Sequence, residues 1–212
     1  MSSIIVFGAA GRAGRAITAE ARLRGHRVTA VVRDPAAHPS AAADGALTAG
    51  DVTDPAVVAR LAAGHDAAVV AAYAPVPDFF ATASAALIEG LTLAGVPRLL
   101  SVGLASVLPT ASGVLLMDAP GYPQEYREFY LAHATGTEVL RTAPDPLDWL
   151  VLSPSGDFDH QGGRTGGYVF APAAAGDRIS YPDLAVAVLD EIDRPAHHRT
   201  HLGVRSAGLA GG

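Results

Sequence analysis

A chain of 212 residues, half of them hydrophobic and 17% charged, carries enough apolar material for one large α/β domain with a sizeable buried core. Its net charge of −6, with scattered arginines and no basic stripe, lacks the electrostatic footprint of a nucleic-acid binder. The absence of cysteine excludes disulfides, thiolate nucleophiles and zinc–thiolate sites, and no apolar run approaches the roughly 18 residues a membrane helix needs.

Strand and helix signals alternate along the chain. Ile4–Phe7 is a continuous apolar run with no basic leader before it, so a buried first strand and a cytoplasmic location are expected. A helix follows from Arg12 to Arg24, closed by Gly25. Val28–Val32 is the second strand and Ala46–Ala49 a weaker third. Asp54 and Pro55 read as the N-cap and first residue of a helix that ends at Gly64.

Ala67–Ala71 is the fourth strand, Phe79–Ala94 a long helix, and Arg98–Val102 the fifth strand. After an irregular stretch, a helix runs from about Gln124 to Arg141, and Trp149–Leu152 is the sixth strand. A Gly-rich segment, 156–167, leads to a short strand at Tyr168–Phe170, a helix at Pro182–Ile192 and a last strand at His201–Val204. Short crossovers of this kind imply an α/β, Rossmann-type, doubly wound parallel sheet. One domain is expected over 1–205. Residues from about 153 onward form a small C-terminal substrate-capping region, and 206–212 form a disordered tail.

The turn Gly8-Ala9-Ala10-Gly11-Arg12-Ala13-Gly14 follows a strand and opens a helix, which is the context a dinucleotide-binding turn requires. Gly8 permits the turn, Gly11 lets the backbone approach a pyrophosphate, and Gly14 lets helix and strand pack closely. The second strand ends in Arg33, a cation suited to a ribose 2′-phosphate, with Arg12 as a second cation at the phosphates. NADP(H) is therefore favoured over NAD(H), although the neighbouring Asp34 could serve a 2′-hydroxyl.

These features, with Gly50-Asp51-Val52-Thr53-Asp54, Leu99-Leu100-Ser101-Val102-Gly103, Pro120-Gly121-Tyr122-Pro123, Leu152-Ser153-Pro154-Ser155 and Gly163-Arg164-Thr165-Gly166, resemble the atypical short-chain dehydrogenase/reductases. The similarity is greatest to their NmrA-like and biliverdin reductase B-like (flavin reductase) members and spans nearly the whole chain. The resemblance implies that Gly8, Ala10, Gly11, Arg12 and Ala13 hold the phosphates, and that Asp51 and Val52 flank the adenine. Ala71, Ala72 and Tyr73 would line the cofactor after strand four. Ser101, Val102 and Gly103 would lie along the nicotinamide ribose, with Pro154 and Ser155 near the carboxamide. Asp51 reads equally well as a turn residue, and Ala71 and Val102 as sheet core.

In the wider superfamily a serine orients the substrate, a tyrosine transfers the proton, and a lysine four residues later lowers the tyrosine pKa. Here Tyr130 falls at the tyrosine position and Ala134 at the lysine position, in a chain with no lysine. A phenol with pKa of about 10 and no neighbouring cation is a poor general acid–base at neutral pH. Ser106, Tyr126, Tyr130 and His133 are the catalytic candidates. Tyr126, Tyr130 and His133 share a helical face at spacings of four and three, where His133 stands in for the lysine, solvent protonates the product, or the face simply packs. Tyr122, Phe158, His160 and Tyr168 are candidate substrate-lining residues, and no metal is expected.

The function expected is an NADPH-dependent reductase of a small aromatic, quinone-like or conjugated carbonyl substrate, with no membrane or nucleic-acid partner. The oligomeric state stays open between monomer and homodimer. Two alternatives use the same fold: an NADP-binding redox sensor without turnover, and a non-redox isomerase or dehydratase.

Overall fold

The computed structural model describes residues 1–39, 46–76 and 78–208. In chain order its elements are β1 (Ser3–Phe7), α1 (Arg12–Leu23), β2 (Arg27–Val32), β3 (Leu47–Ala49), α2 (Pro55–Ala62), β4 (Ala67–Val70), α3 (Phe79–Ala94) and β5 (Arg98–Val102). They continue with α4 (Arg127–Arg141), β6 (Asp148–Pro154), β7 (Asp157–Asp159), β8 (Tyr168–Phe170), β9 (Arg178–Ser180), α5 (Tyr181–Asp193) and β10 (Thr200–Ser206).

Eight strands form one sheet in the order β3-β2-β1-β4-β5-β6-β10-β8, parallel throughout except for β8, which runs antiparallel to β10. The chain winds outward from β1 through β2 to β3, then returns to β4 on the other side of β1. The order therefore reverses between β1 and β4, and a ligand crevice opens at the carboxyl ends of such strands.

Strand alternation sends β1 side chains to two separate cores. Ile4 and Val6 pack with Ile17 and Ala21 of α1 and with Leu184 and Val188 of α5. Ile5 and Phe7 pack on the other face with Val58 of α2, Leu87 and Leu91 of α3 and Leu140 of α4. Small residues bring the helices together: a side chain at Gly90 would collide with Val58, and one at Gly136 with Phe80.

Helix starts follow local chemistry. Asp54 accepts hydrogen bonds from Ala56 N and Val57 N at the head of α2, and Ser180 accepts from Asp183 N at the head of α5. The helix expected from Gln124 begins only at Arg127, because the Gln124 amide braces the preceding loop by donating to the carbonyls of Met117 and Tyr122.

The C-terminal region differs from expectation. β10 and β8 extend the main sheet, and α5 lies beside α1 as part of the helix layer because its Leu184, Ala185, Val188 and Leu189 are wholly buried. Ser206 is the last residue of β10, paired with Tyr168, and so belongs to the sheet; residues 209–212 of the expected tail lie outside the described residues. The short parallel pair β7–β9 was not foreseen, since three-residue strands are too short to show alternation.

Side-chain bonds fasten the segment between β7 and β8 to this face. Arg164 makes a bidentate pair with the buried Glu20 of α1 at 2.8 and 2.9 Å, and Asp183 accepts from Thr165 N, Gly166 N and the Thr165 hydroxyl.

Candidate functional site

The glycine turn is built as its sequence implies. Gly8 takes φ +81°, a region open to glycine, and the amides of Gly8 and Ala9 donate to the Val31 carbonyl at 2.9 and 3.1 Å, tying the turn to β2. A Cβ at Gly14 would overlap the Gly8 carbonyl, so glycine is what allows α1 to approach β1. Gly11 is different. A Cβ there would meet nothing closer than the Gly8 carbonyl oxygen at 3.4 Å, an ordinary contact, so the fold's own packing does not demand glycine. Unlike α2 and α5, α1 has no side-chain cap, and its first turn holds no acidic residue. Its N-terminal amides and the helix dipole are thus available to an anion approaching over Gly11.

Beyond the turn lies a cleft of about 580 Å³. Gly8, Ala10, Gly11, Arg33, Asp51, Val52, Ala71, Ala72 and Tyr73 all line it, as the sequence reading expected. Arg33 is exposed and has no hydrogen-bond or ion-pair partner among the described residues. Asp34, by contrast, uses Oδ1 to accept from Ala36 N at 2.9 Å, capping the 3₁₀ turn Pro35–Ala37. Asp51 accepts from the hydroxyl and amide of Thr53 at 2.7 and 2.9 Å. These bonds, with the Arg33 charge nearby, hold its carboxyl below the usual range, so its turn role and its place in the cleft coexist.

Two phosphate candidates sit differently. Ala13 is half-buried and only its backbone is suited to a ligand, while the Arg12 Nη1 lies 2.8 Å from His160 Nδ1 and outside the cleft lining. The sequence reading missed His38 and Phe79, which also line the cleft. His38 is returned to it by the Pro35–Ala37 turn, a local bend that no periodicity announces.

At the carboxyl end of β5, Ser101, Val102 and Gly103 border a small cavity of about 40 Å³ with His133 and Thr137. The His133 ring packs 3.7 Å from Phe80 and 4.8 Å from Phe129, centroid to centroid. Burial, and then His201, lower its pKa to about 4, so it is neutral at pH 7. His133 therefore cannot supply the missing lysine's charge. Although it lies three residues from Tyr130, His133 lines the small cavity and packs on Phe80 of α3, whereas Tyr130 lines a separate pocket.

His201, in the last strand, is buried enough that its pKa also falls to about 4, and its Nε2 lies 2.7 Å from Ser153 Oγ. Pro154 and Ser155 line neither cleft nor cavity. Pro154 pairs with Val204 in the sheet, and the Ser155 hydroxyl, 1% exposed, donates to Asp177 at 2.9 Å. They fix the end of β6 and leave no side-chain donor for a carboxamide.

A second pocket, about 470 Å³, opens past β5 and β6 and is lined by Ser106, Tyr122, Tyr126, Tyr130, Asp157 and Arg178 among others. The Ser106 and Tyr122 hydroxyls are hydrogen-bonded at 2.9 Å. The Tyr130 ring is buried 5.6 Å from that of Tyr122, and burial first, then neighbouring Tyr122, raise its hydroxyl pKa. Tyr126, just before α4, is 58% exposed at the rim.

Phe158, His160 and Tyr168 do not reach this pocket. Alternation along β7 turns Asp157 toward it and Phe158 away, onto Tyr181 at 4.1 Å. His160 contacts Arg12 and Tyr181, and the Tyr168 hydroxyl donates to Asp190 at 3.0 Å. Arg178 was not among the expected site residues, because a strand of three residues shows no alternation that would turn it toward a pocket.

The comparisons with known proteins agree with this geometry. A family model described as NAD(P)H-binding matches residues 8–195. The uncharacterised protein YwnB of Bacillus subtilis (strain 168) is 37% identical over 95% of this chain and 97% of its own. A Streptococcus pneumoniae TIGR4 structure described as a candidate NADH-flavin reductase is 29% identical, with a TM-score of 0.78 over 97% of this chain and 100% of that one. A candidate epimerase from Bacteroides thetaiotaomicron is 30% identical, with a TM-score of 0.84 over 97% of both chains.

Proposed function

Because the chain belongs to the NAD(P)H-binding family, we propose that it is an NADPH-dependent reductase of a small aromatic, quinone-like or conjugated carbonyl substrate. The observation that carries this reading is the pairing, at the carboxyl ends of one sheet, of a nucleotide cleft with a pocket walled by tyrosines and hydroxyls. The bound cofactor supplies the hydride. The glycine turn and α1 amides hold its phosphates, and Arg33, without a hydrogen-bond or ion-pair partner among the described residues while Asp34 is engaged in its own cap, favours the 2′-phosphate form.

The proton side favours reduction over oxidation. A phenol whose pKa is raised stays protonated at neutral pH, so Tyr130 is unsuited to acting as a base and its buried ring serves to wall the pocket beside the Ser106–Tyr122 pair. Tyr122, hydrogen-bonded to Ser106, is the group best placed to donate to a substrate oxygen in the pocket.

The sensor reading keeps one observation in its favour: Ala134 and a neutral His133 leave Tyr130 without a cation one helical turn further on. Oxidation of NADPH in the presence of a panel of quinones, flavins and aromatic enones separates the two. Turnover with any class supports the reductase. Tight NADPH binding without oxidation across the panel points to the sensor.

A further inference from the structure

Arg178 borders the tyrosine-lined pocket in an unusual electrostatic state. Its Nη1 donates to the carbonyl oxygens of Ala175 at 2.8 Å and Asp177 at 2.7 Å, which fixes the plane of the guanidinium. Nε and Nη2 have no acceptor, and no carboxylate lies within 4.0 Å among the described residues. Asp157 is the ladder partner of Arg178, yet its Oδ1 accepts from Phe158 N instead.

Other sheltered arginines are neutralised. Arg24 pairs with Glu20, Asp190 and Asp193, Arg98 with Asp148 and Glu191, and Arg127 with Asp118. A half-buried guanidinium held flat, with its Nε–Nη2 edge free beside an aromatic wall, matches the geometry of a bidentate carboxylate contact.

We infer that the substrate carries a carboxylate on its conjugated ring system, and that Arg178 binds it through Nε and Nη2 while Tyr122, Tyr126 and Tyr130 pack the ring. The identity of the reacting group rests on the reductase reading; the carboxylate contact does not. In the reaction the carboxylate is a spectator. With NADPH held in the cleft, the cofactor would supply the hydride (two electrons) to the carbonyl or conjugated carbon, and the Ser106–Tyr122 pair would give the proton to oxygen, so that NADP⁺ and the reduced product balance the reaction.

The test is calorimetric, on NADP⁺-loaded protein, with 4-formylbenzoate and its neutral counterpart 4-formylbenzamide as probes. The benzoate is expected to bind at least about tenfold tighter than the amide. R178Q, which keeps a donor for the backbone carbonyls, abolishes that preference with NADP⁺ affinity and melting temperature unchanged, and R178K retains part of it. Equal binding of the two probes by the wild type, binding of neither, or an unchanged preference in a folded R178Q overturns the inference. If R178Q does not fold, the wild-type ratio and R178K decide. Turnover of neutral carbonyls without a carboxylate preference sinks this inference alone. An Arg178-dependent carboxylate preference without turnover of any carbonyl sinks the reductase reading alone.

Discussion

Replacing Arg33 with alanine tests the cofactor assignment at a single side chain. Arg33 lines the nucleotide cleft at the end of β2 and is exposed. Among the described residues no acceptor is hydrogen-bonded to its guanidinium, and its charge acts on the Asp51 carboxyl. A charge-assisted phosphate contact is worth about 1.5–3 kcal/mol, and solvent exposure places this one toward the lower end. At about 1.4 kcal/mol per decade, NADPH binding in Arg33→Ala should weaken roughly tenfold to thirtyfold, while NADH changes by less than about twofold. Calorimetric titration of both nucleotides at low and moderate salt reads this directly, and the NADPH advantage should shrink as salt rises. Equal losses for NADPH and NADH would mean that Arg33 serves the adenine or the fold. No loss for either would remove it from the cofactor site.

Three further expectations follow from the same geometry. Tyr122→Phe removes the hydroxyl bonded to Ser106 and should lower kcat on any accepted carbonyl by about 10²-fold with NADPH affinity unchanged; a loss confined to KM would refute its proton-donor role. Gly11→Ala and Gly14→Ala should separate binding from folding. The first leaves the urea midpoint nearly intact and weakens NADPH binding, whereas the second drives a Cβ into the Gly8 carbonyl and costs about 3 kcal/mol or more of stability; the reverse pattern would contradict the steric argument. Finally, His133 and His201 have pKa values lowered from 6.5 to about 4 in the folded state, so the unfolded chain binds more protons between these values. Their contribution to stability is complete above pH 6.5 and falls as pH drops toward 4, by about 2–3 kcal/mol each. Urea unfolding from pH 7.5 to 4 should show this decline, and His133→Phe should flatten it; an equally steep curve in that variant would refute the buried-neutral assignment.

What the sequence by itself determined are the features set by local chemistry. Apolar runs, caps such as Asp54-Pro55 and terminal glycines fixed β1 through β6 and their helices to within a few residues. The spacing of Gly8, Gly11 and Gly14 after a strand, with Arg33 at the next strand end, identified the nucleotide cleft because those positions are joined by one βαβ unit. Boundaries slipped where side chains bond to loops, as Gln124 does, and where strands of three residues leave no period to read.

The tertiary structure alone decided the chemistry around the second pocket. Ser106 and Tyr122 meet across a loop of turns, and Arg178 arrives from a three-residue strand whose partner, Asp157, lies 21 residues earlier in the chain. Arg12 is drawn to His160, 148 residues away, and His201 is buried against Ser153, 48 residues away. Residue type shows that a side chain is able to ionise or to hydrogen-bond. Whether it keeps its charge, which partner it takes and which face of a strand it occupies are set by contacts between distant parts of the chain. For that reason the cleft was legible in the sequence, while of the second pocket the sequence offered Ser106, Tyr122, Tyr126 and Tyr130 but neither their bonding nor Arg178.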